Sequence, residues 1–255
     1  MRGGRKTRLG TTTSNNHQRS MAKPLVISIE GNIGVGKTTV IDELQRILSM
    51  NTDVAVLREP VEEWESRGFL AAMYDGKVDP SSFQHMVLMS LAGDLLHKLN
   101  ERDFVLIITE RSAKGNYHVF GKANLVDGTM EQSMYKFTYE RVMHGFPPCM
   151  QQSFIHLKGS TATVKARMAT RGREAEQDVA DSYLDKLGTL HDQWLAEEAD
   201  VTTIYVDNMT KQAVLHYVAI HINFAIVNYT EKYKHVLTDK QKHAFVKVWN
   251  VLSAV

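Results

Sequence analysis

An α/β fold, with a five-stranded parallel sheet flanked by helices in a single domain, is the class this sequence predicts. Three observations carry that prediction. Short apolar runs at residues 25–29, 53–57, 104–109, 153–157 and 202–206 alternate with helical stretches. A length of 255 residues, 43% apolar and 23% charged, suits one well-buried core. A glycine-rich loop separates the first run from a helical repeat of apolar residues. Ligands of such sheets lie beyond the strands' C-terminal ends. Gly31, Glu59 and Glu110, each just past a run, are therefore expected to converge.

Residues 1–22 contain Gly3, Gly4, Gly10 and three consecutive threonines, with almost no apolar residue except Leu9. Such a stretch cannot bury enough surface to fold, so it reads as a flexible basic tail ahead of a domain at 23–255. The 25–29 run is rich in β-branched residues and reads as a buried strand. Gly31-Asn32-Ile33-Gly34-Val35-Gly36-Lys37-Thr38-Thr39 then matches the phosphate-loop pattern G-x-x-x-x-G-K-[ST]. Strand, loop and helix 38–48 together aim backbone N–H groups and a helix N-terminus at an anion. Lys37 is placed to reach the β/γ-phosphates, and the Thr38 hydroxyl to bind Mg²⁺.

Helix 80–99 has Asp79 as its N-cap and Pro80 at its first position. Further helices are expected at 128–144, 160–170, 179–197 and 211–227. A last one follows Thr238, with Gln241 completing a capping box.

Glu59, in Arg-Glu-Pro-Val-Glu-Glu-Trp, is held extended by Pro60 and is suited to take a proton from a hydroxyl nucleophile. An alternative is a solvated acidic loop, since Glu62 and Glu63 are adjacent. Glu110 and Arg111 close the third run as an ionised pair, costly to bury unless paired or ligated. Gln84, Val87 and Leu91 share one helix face, where an amide could read a base edge. Arg167 and Arg171 share another face, and Gly172 lets the chain turn towards Arg173 and Glu176. This arginine group could close over a transferring phosphoryl group, or be a solvated basic helix end.

Charge narrows the function classes. Arg2, Arg5, Lys6, Arg8, Arg19 and Lys23 precede the first acidic residue, so a formal +1 for the whole chain leaves −5 for the rest. A nucleic-acid binder shows the opposite sign on its folded surface. No apolar run approaches the ~20 residues of a membrane span. The single cysteine, Cys149, allows no intrachain disulfide and suits a reducing compartment, so the cytoplasm is expected. The Arg-rich tail leaves mitochondrial or nuclear targeting as alternatives.

In order along the chain, ISIEGNIGVGKTT, REPVEEW, MYDGKVDPSSFQ, ITERSAKGNYHVF, RMATRGREAE and YLDKLGTLHDQWL resemble the deoxynucleoside kinases. The resemblance covers about residues 24–206 and implies a P-loop kinase that moves the γ-phosphoryl of ATP to a deoxyribonucleoside 5′-hydroxyl. It makes Glu59 the base and has Arg111 hold the same end of the sugar. Trp64 packs beside the nucleobase, Gln84 pairs with it, and Phe120 stacks on it. Tyr74 and Glu176 bind the 3′-hydroxyl, while Glu110 joins Thr38 at Mg²⁺. Arg167, Arg171 and Arg173 form a lid at about 167–178, and Asp207 and Asn208 touch the donor's adenine. A homodimer is also implied.

The chain departs from the family pattern in two places. Ala175 stands where the lid usually has a second acid before Glu176, and Asn116 replaces a small residue or an aspartate. Val87 and Leu91 resemble the thymidine-preferring members, so pyrimidines are expected, thymidine first, with breadth allowed. Thymidylate-type monophosphate kinases share the Arg-Glu-Pro but continue with a glycine pair. A GTP switch would need an N-K-x-D reader, which these residues lack.

Overall fold

Strand β1 (Leu25–Gly31) is buried along its whole length and forms the centre of the sheet. The computed structural model describes residues 23–148, 150–176 and 178–255; the basic tail and Cys149 lie outside the described residues. Strands β2 (Val54–Leu57), β3 (Leu106–Glu110), β4 (Gln151–Lys158) and β5 (Val201–Tyr205) join β1 in the order β2-β3-β1-β4-β5. Every pairing is parallel, with Ile27 beside Ile108 on one side and Ser153 on the other.

The two-residue period of β1 divides the core. Leu25, Ile27 and Ile29 join a cluster with α1 (Lys37–Leu48), whose Val40, Ile41 and Leu44 are buried. Helices α10 (Lys211–Lys232) and α11 (Asp239–Leu252) complete that layer, and the Thr238–Gln241 capping box starts α11 as expected. Val26 and Ile107 face the opposite way, towards α4 (Pro80–Glu101) and α7 (Met130–His144). Asp79 caps α4 by accepting from Ser82 N–H at 3.0 Å. Helices α8 (Thr161–Arg171) and α9 (Asp181–Leu195) flank the lid region, and Gly172 ends α8 at φ 68°.

Segments without a strong period are resolved only in three dimensions. Between β2 and α4 the chain forms α2 (Val61–Ser66) and α3 (Phe69–Tyr74), too short to show a repeat in sequence. After β3 come α5 (Ala113–Gly115), a π-helical turn (Asn116–Gly121) and α6 (Lys122–Asn124). Such wide turns often mark functional sites.

Candidate active site

Gly31, Glu59 and Glu110 do converge. Thr38 Oγ1 donates to Glu110 Oε1 at 2.5 Å, and the backbone N–H of Glu59 donates to Glu110 Oε2 at 3.3 Å. Arg111 turns off β3 at φ 65°, a left-handed conformation that is costly for a long side chain. Its Nε donates to Glu59 Oε1 at 3.0 Å, and its guanidinium lies 4.1 Å from the Phe120 ring centroid. Glu110 and Arg111 are thus bonded to separate partners and not to each other, which sets aside the alternative of a structural ion pair. The positive φ of Arg111 takes its side chain out of the strand's alternation, so each finds its own partner.

The phosphate loop is held by its own backbone. Lys37 Nζ, fully buried, donates to the carbonyls of Gly31 (3.0 Å) and Asn32 (2.9 Å). Burial, with the charge of Arg111, lowers its pKa to about 7. Asn32 Nδ2 ties the loop to α9 through Leu184 O at 2.8 Å. Gly31 has φ 141°, and a Cβ there would meet Leu157 O at 2.4 Å. Burial and the charge of Glu59 raise the pKa of Glu110.

Two clefts meet at this loop, sharing Gly34, Lys37, Thr38 and Arg171 in their walls. One is a cleft walled by side chains from several elements. Glu59, Arg111, Tyr74 and Glu176 give it polar groups, and Trp64 and Phe120 give it aromatic faces. Gln84, Val87 and Asn116 line it together, with Asn116 Nδ2 donating to Gln84 Oε1 at 2.8 Å. Burial pushes the Tyr74 phenol up to about 12, so it remains a hydroxyl. Leu91 does not line this cleft; it packs behind Val87 with Trp64, Leu70 and Phe83.

The other cleft is lined by the residues 34–40 side of the loop and by Arg167, Met209 and Lys211. The expected arginine trio is divided. Arg167 donates to the backbone carbonyls of Val35 (2.5 Å) and Val206 (3.0 Å), bracing the loop. Arg171 lines both clefts and pairs with Glu176. Arg173 lines only the first, bonding Glu176 at 2.9 Å and Glu65 at 3.2 Å. Asp207 and Asn208 line neither cleft. The Asp207 carboxylate accepts from Ser160 N–H at 3.0 Å and from the Thr163 hydroxyl, which fixes the start of α8. These bonds hold its pKa below the usual range.

Sequence reading passed over Glu30, whose carboxylate is buried against Gly115, where a Cβ would come within 2.5 Å of Oε2. Burial raises it to about 7. The available signal was an acid inside an apolar strand. Tyr183, Phe83 and Met73 also line the first cleft and carried no signal beyond ordinary core residues. Among the described residues no group of three His, Cys, Asp or Glu could hold a metal, and no helix is long and apolar enough to cross a membrane.

Comparison with known proteins agrees with this geometry. A family model described as deoxynucleoside kinase matches residues 27–242. The chain is 33% identical over 179 residues to a probable deoxycytidine kinase of fowlpox virus, covering 67% of this chain and 72% of that one. It is 26% identical to human deoxycytidine kinase over 66% of this chain and 74% of that one. Mitochondrial thymidine kinase 2 of Macaca fascicularis is 28% identical over 76% of this chain and 72% of its own. A phosphate loop and a second polar cleft within hydrogen-bonding reach of it, on a chain matched from first strand to last helix, have one explanation: the protein belongs to the deoxynucleoside kinase family.

Proposed function

We propose that this enzyme transfers the γ-phosphoryl group of ATP to the 5′-hydroxyl of pyrimidine deoxyribonucleosides, thymidine ahead of deoxycytidine. The observation that carries the reading is one hydrogen-bonded chain, Arg111–Glu59–Glu110–Thr38, running from the nucleoside cleft to the phosphate loop. In the proposed reaction the 5′-oxygen forms a bond to the γ-phosphorus and passes its proton to Glu59. The bond from that phosphorus to the β–γ bridging oxygen breaks, and ADP leaves with the electron pair.

Arg111 keeps the Glu59 carboxylate aimed, and Lys37 exchanges its carbonyl partners for phosphate oxygens. Arg171, shared by both clefts, offsets charge on the transferring group. Arg167 and Arg173 brace the two sides of the lid. Tyr74 and Glu176 hold the 3′-hydroxyl, Trp64 and Phe120 sandwich the base, and Gln84 with Asn116 reads its edge. The loop residues 31–39 bind the triphosphate, with Asp207 and Asn208 shaping the adenine end indirectly.

Thr38 and Glu110 supply only hard oxygen atoms, the donor type Mg²⁺ takes, and burial of Glu110 beside Glu59 favours a cation there. They are the residues to hold Mg²⁺, which when bound neutralises charge on the phosphate oxygens. Homodimer formation is supported by the exposed Met130, Met134 and Phe137 on α7 and Met89 on neighbouring α4.

A coupled assay with thymidine, deoxycytidine, thymidine monophosphate and no acceptor tests the reading. Mg²⁺-dependent turnover of the nucleosides is expected; activity on the monophosphate alone would make this a thymidylate-type kinase instead.

A further inference from the structure

The π-helical turn at Asn116–Gly121 builds a slot for one side chain of α7. Gly121 has no Cβ, and one placed there would lie 2.3 Å from Tyr135 Cε1. The Tyr135 ring fills the slot and is 1% exposed, with His85 edge-on at 5.0 Å and Tyr117 stacked at 5.7 Å. Its hydroxyl donates to Asn116 Oδ1. Asn116 Nδ2 in turn donates to Gln84 Oε1 at 2.8 Å. The result is a directed chain, Tyr135 to Asn116 to Gln84, that ends in the nucleoside cleft. Tyr135 itself does not line that cleft.

The direction of the chain follows from counting protons. A tyrosine hydroxyl has one proton, and burial pushes its pKa upward, so it keeps that proton. If the amides were reversed, Asn116 would donate to the phenol oxygen. The phenol proton would then give up the hydrogen bond it makes to Asn116 Oδ1, on a ring that is 1% exposed. An unmade hydrogen bond at a buried donor is the costly case. Tyr135 therefore sets the orientation of Asn116, and Asn116 sets that of Gln84.

Both amide oxygens are then engaged, while the Gln84 Nε2 protons and the second Asn116 Nδ2 proton have no protein partner among the described residues. The wall is rich in donors, and each amide oxygen keeps one lone pair, that of Gln84 Oε1 being the one on the base-reading amide. That matches a base with a ring carbonyl next to a ring N–H. An exocyclic amine would set its own protons against those of the amides. Resting on the thymidine-first reading above, we infer that Tyr135 is a positioning residue for base choice: through Asn116 it fixes the Gln84 amide to favour keto pyrimidines over amino pyrimidines.

The test measures kcat/KM for thymidine and deoxycytidine in the wild type, Tyr135→Phe and Asn116→Asp, with the KM for ATP and the melting temperature alongside. The wild type should prefer thymidine. Tyr135→Phe keeps the ring in its slot but frees Asn116 to turn over. It should cut the thymidine-to-deoxycytidine ratio about fivefold, the value of one neutral hydrogen bond, without moving the KM for ATP. Asn116→Asp replaces the donor with an acceptor and should cut the ratio further or invert it. A wild type that prefers thymidine with an unchanged ratio in Tyr135→Phe overturns the positioning role and leaves the substrate reading intact. Equal losses on both nucleosides overturn it too, since a merely structural tyrosine would act that way. A wild type that prefers deoxycytidine, or phosphorylates neither, overturns the substrate reading and this inference together.

Discussion

The two clefts that meet at Lys37 and Thr38 are made in different ways. On the donor side a continuous stretch of backbone does most of the work: Gly31, Gly34 and Gly36 adopt φ values of 141°, 73° and 110° that other residues reach only under strain. On the acceptor side the surface is assembled chiefly from side chains, on the loop after β2, β3, α2, α3, α4, the π-helical turn, the lid and α9, with Arg111 at positive φ among them. A backbone site has little freedom to change its ligand. A side-chain site can exchange its readers one at a time, and Asn116 stands at such a place.

The largest effect should fall on the acceptor side. Glu59→Gln keeps a hydrogen-bonding group opposite Arg111 but cannot take a proton. Turnover should fall ~100-fold or more, within the usual span of general-base help, while ATP affinity is retained. Near-normal kcat in that variant would remove Glu59 from the role and blur the contrast between the halves.

How much could be read beforehand follows the same division. The glycine loop was legible because its positive φ values need glycines at fixed spacing, and Gly31, Gly36, Lys37 and Thr38 fall within eight residues of the chain. The sheet was legible too, since its strands are apolar runs of normal length. The acceptor side came into view only as separated short motifs whose convergence rested on the topology rule. Physical reasons explain what was missed. Glu30 is one acid in an apolar strand, and its meaning comes from Gly115, distant in sequence. Arg167 shares its helix face with Arg171, yet the carbonyls of Val35 and Val206 claim it. Tyr135 carries no pattern at all until the π-helical turn opens a slot for it.

Next in size is a substitution that separates strain from contact within the donor half. At Gly31 an added methyl faces the backbone carbonyl of Leu157 at 2.4 Å, and φ is 141°. Gly31→Ala should cost about 3 kcal/mol or more, because neither backbone can withdraw. At Gly36 the nearest atom is an Arg167 nitrogen at 3.6 Å, an ordinary contact distance, leaving only the strain of φ 110°. Gly36→Ala should cost about 1–2 kcal/mol and act mainly on ATP affinity. Chemical denaturation of both, with ATP titration, checks the order. Equal stability losses would mean that strain, not the approach of β4, sets the price at Gly31.

The smallest effect concerns the seam between the halves, where His156 of β4 stacks on His191 of α9 at 5.6 Å. His156 lies beside Glu30 in the strand register, and His191 meets Phe120 edge-on. Burial holds His156 neutral, with its pKa lowered to about 4, and does the same for His118; His191 is also lowered, by burial and by Arg111. Between about pH 4 and 6.5 the unfolded chain binds these protons and the folded chain does not, so stability falls as pH falls. Glu30 acts in the opposite sense: raised to about 7, it binds a proton in the folded state that the unfolded chain has lost above about 4.5. Its contribution therefore grows on acidification and offsets part of the histidine loss. Glu110, also raised, acts in the same sense as Glu30. Three histidines outweigh two carboxylates, so the melting temperature should drop by a few degrees from pH 7 to pH 5. His156→Phe keeps the ring stack without a titrating group and should flatten that drop. Glu30→Gln should steepen it and raise the melting temperature above pH 7, where the wild-type carboxylate is charged and buried. A wild-type curve flat from pH 7 to 5 that stays flat in both variants would show that neither half feels the charge of the seam.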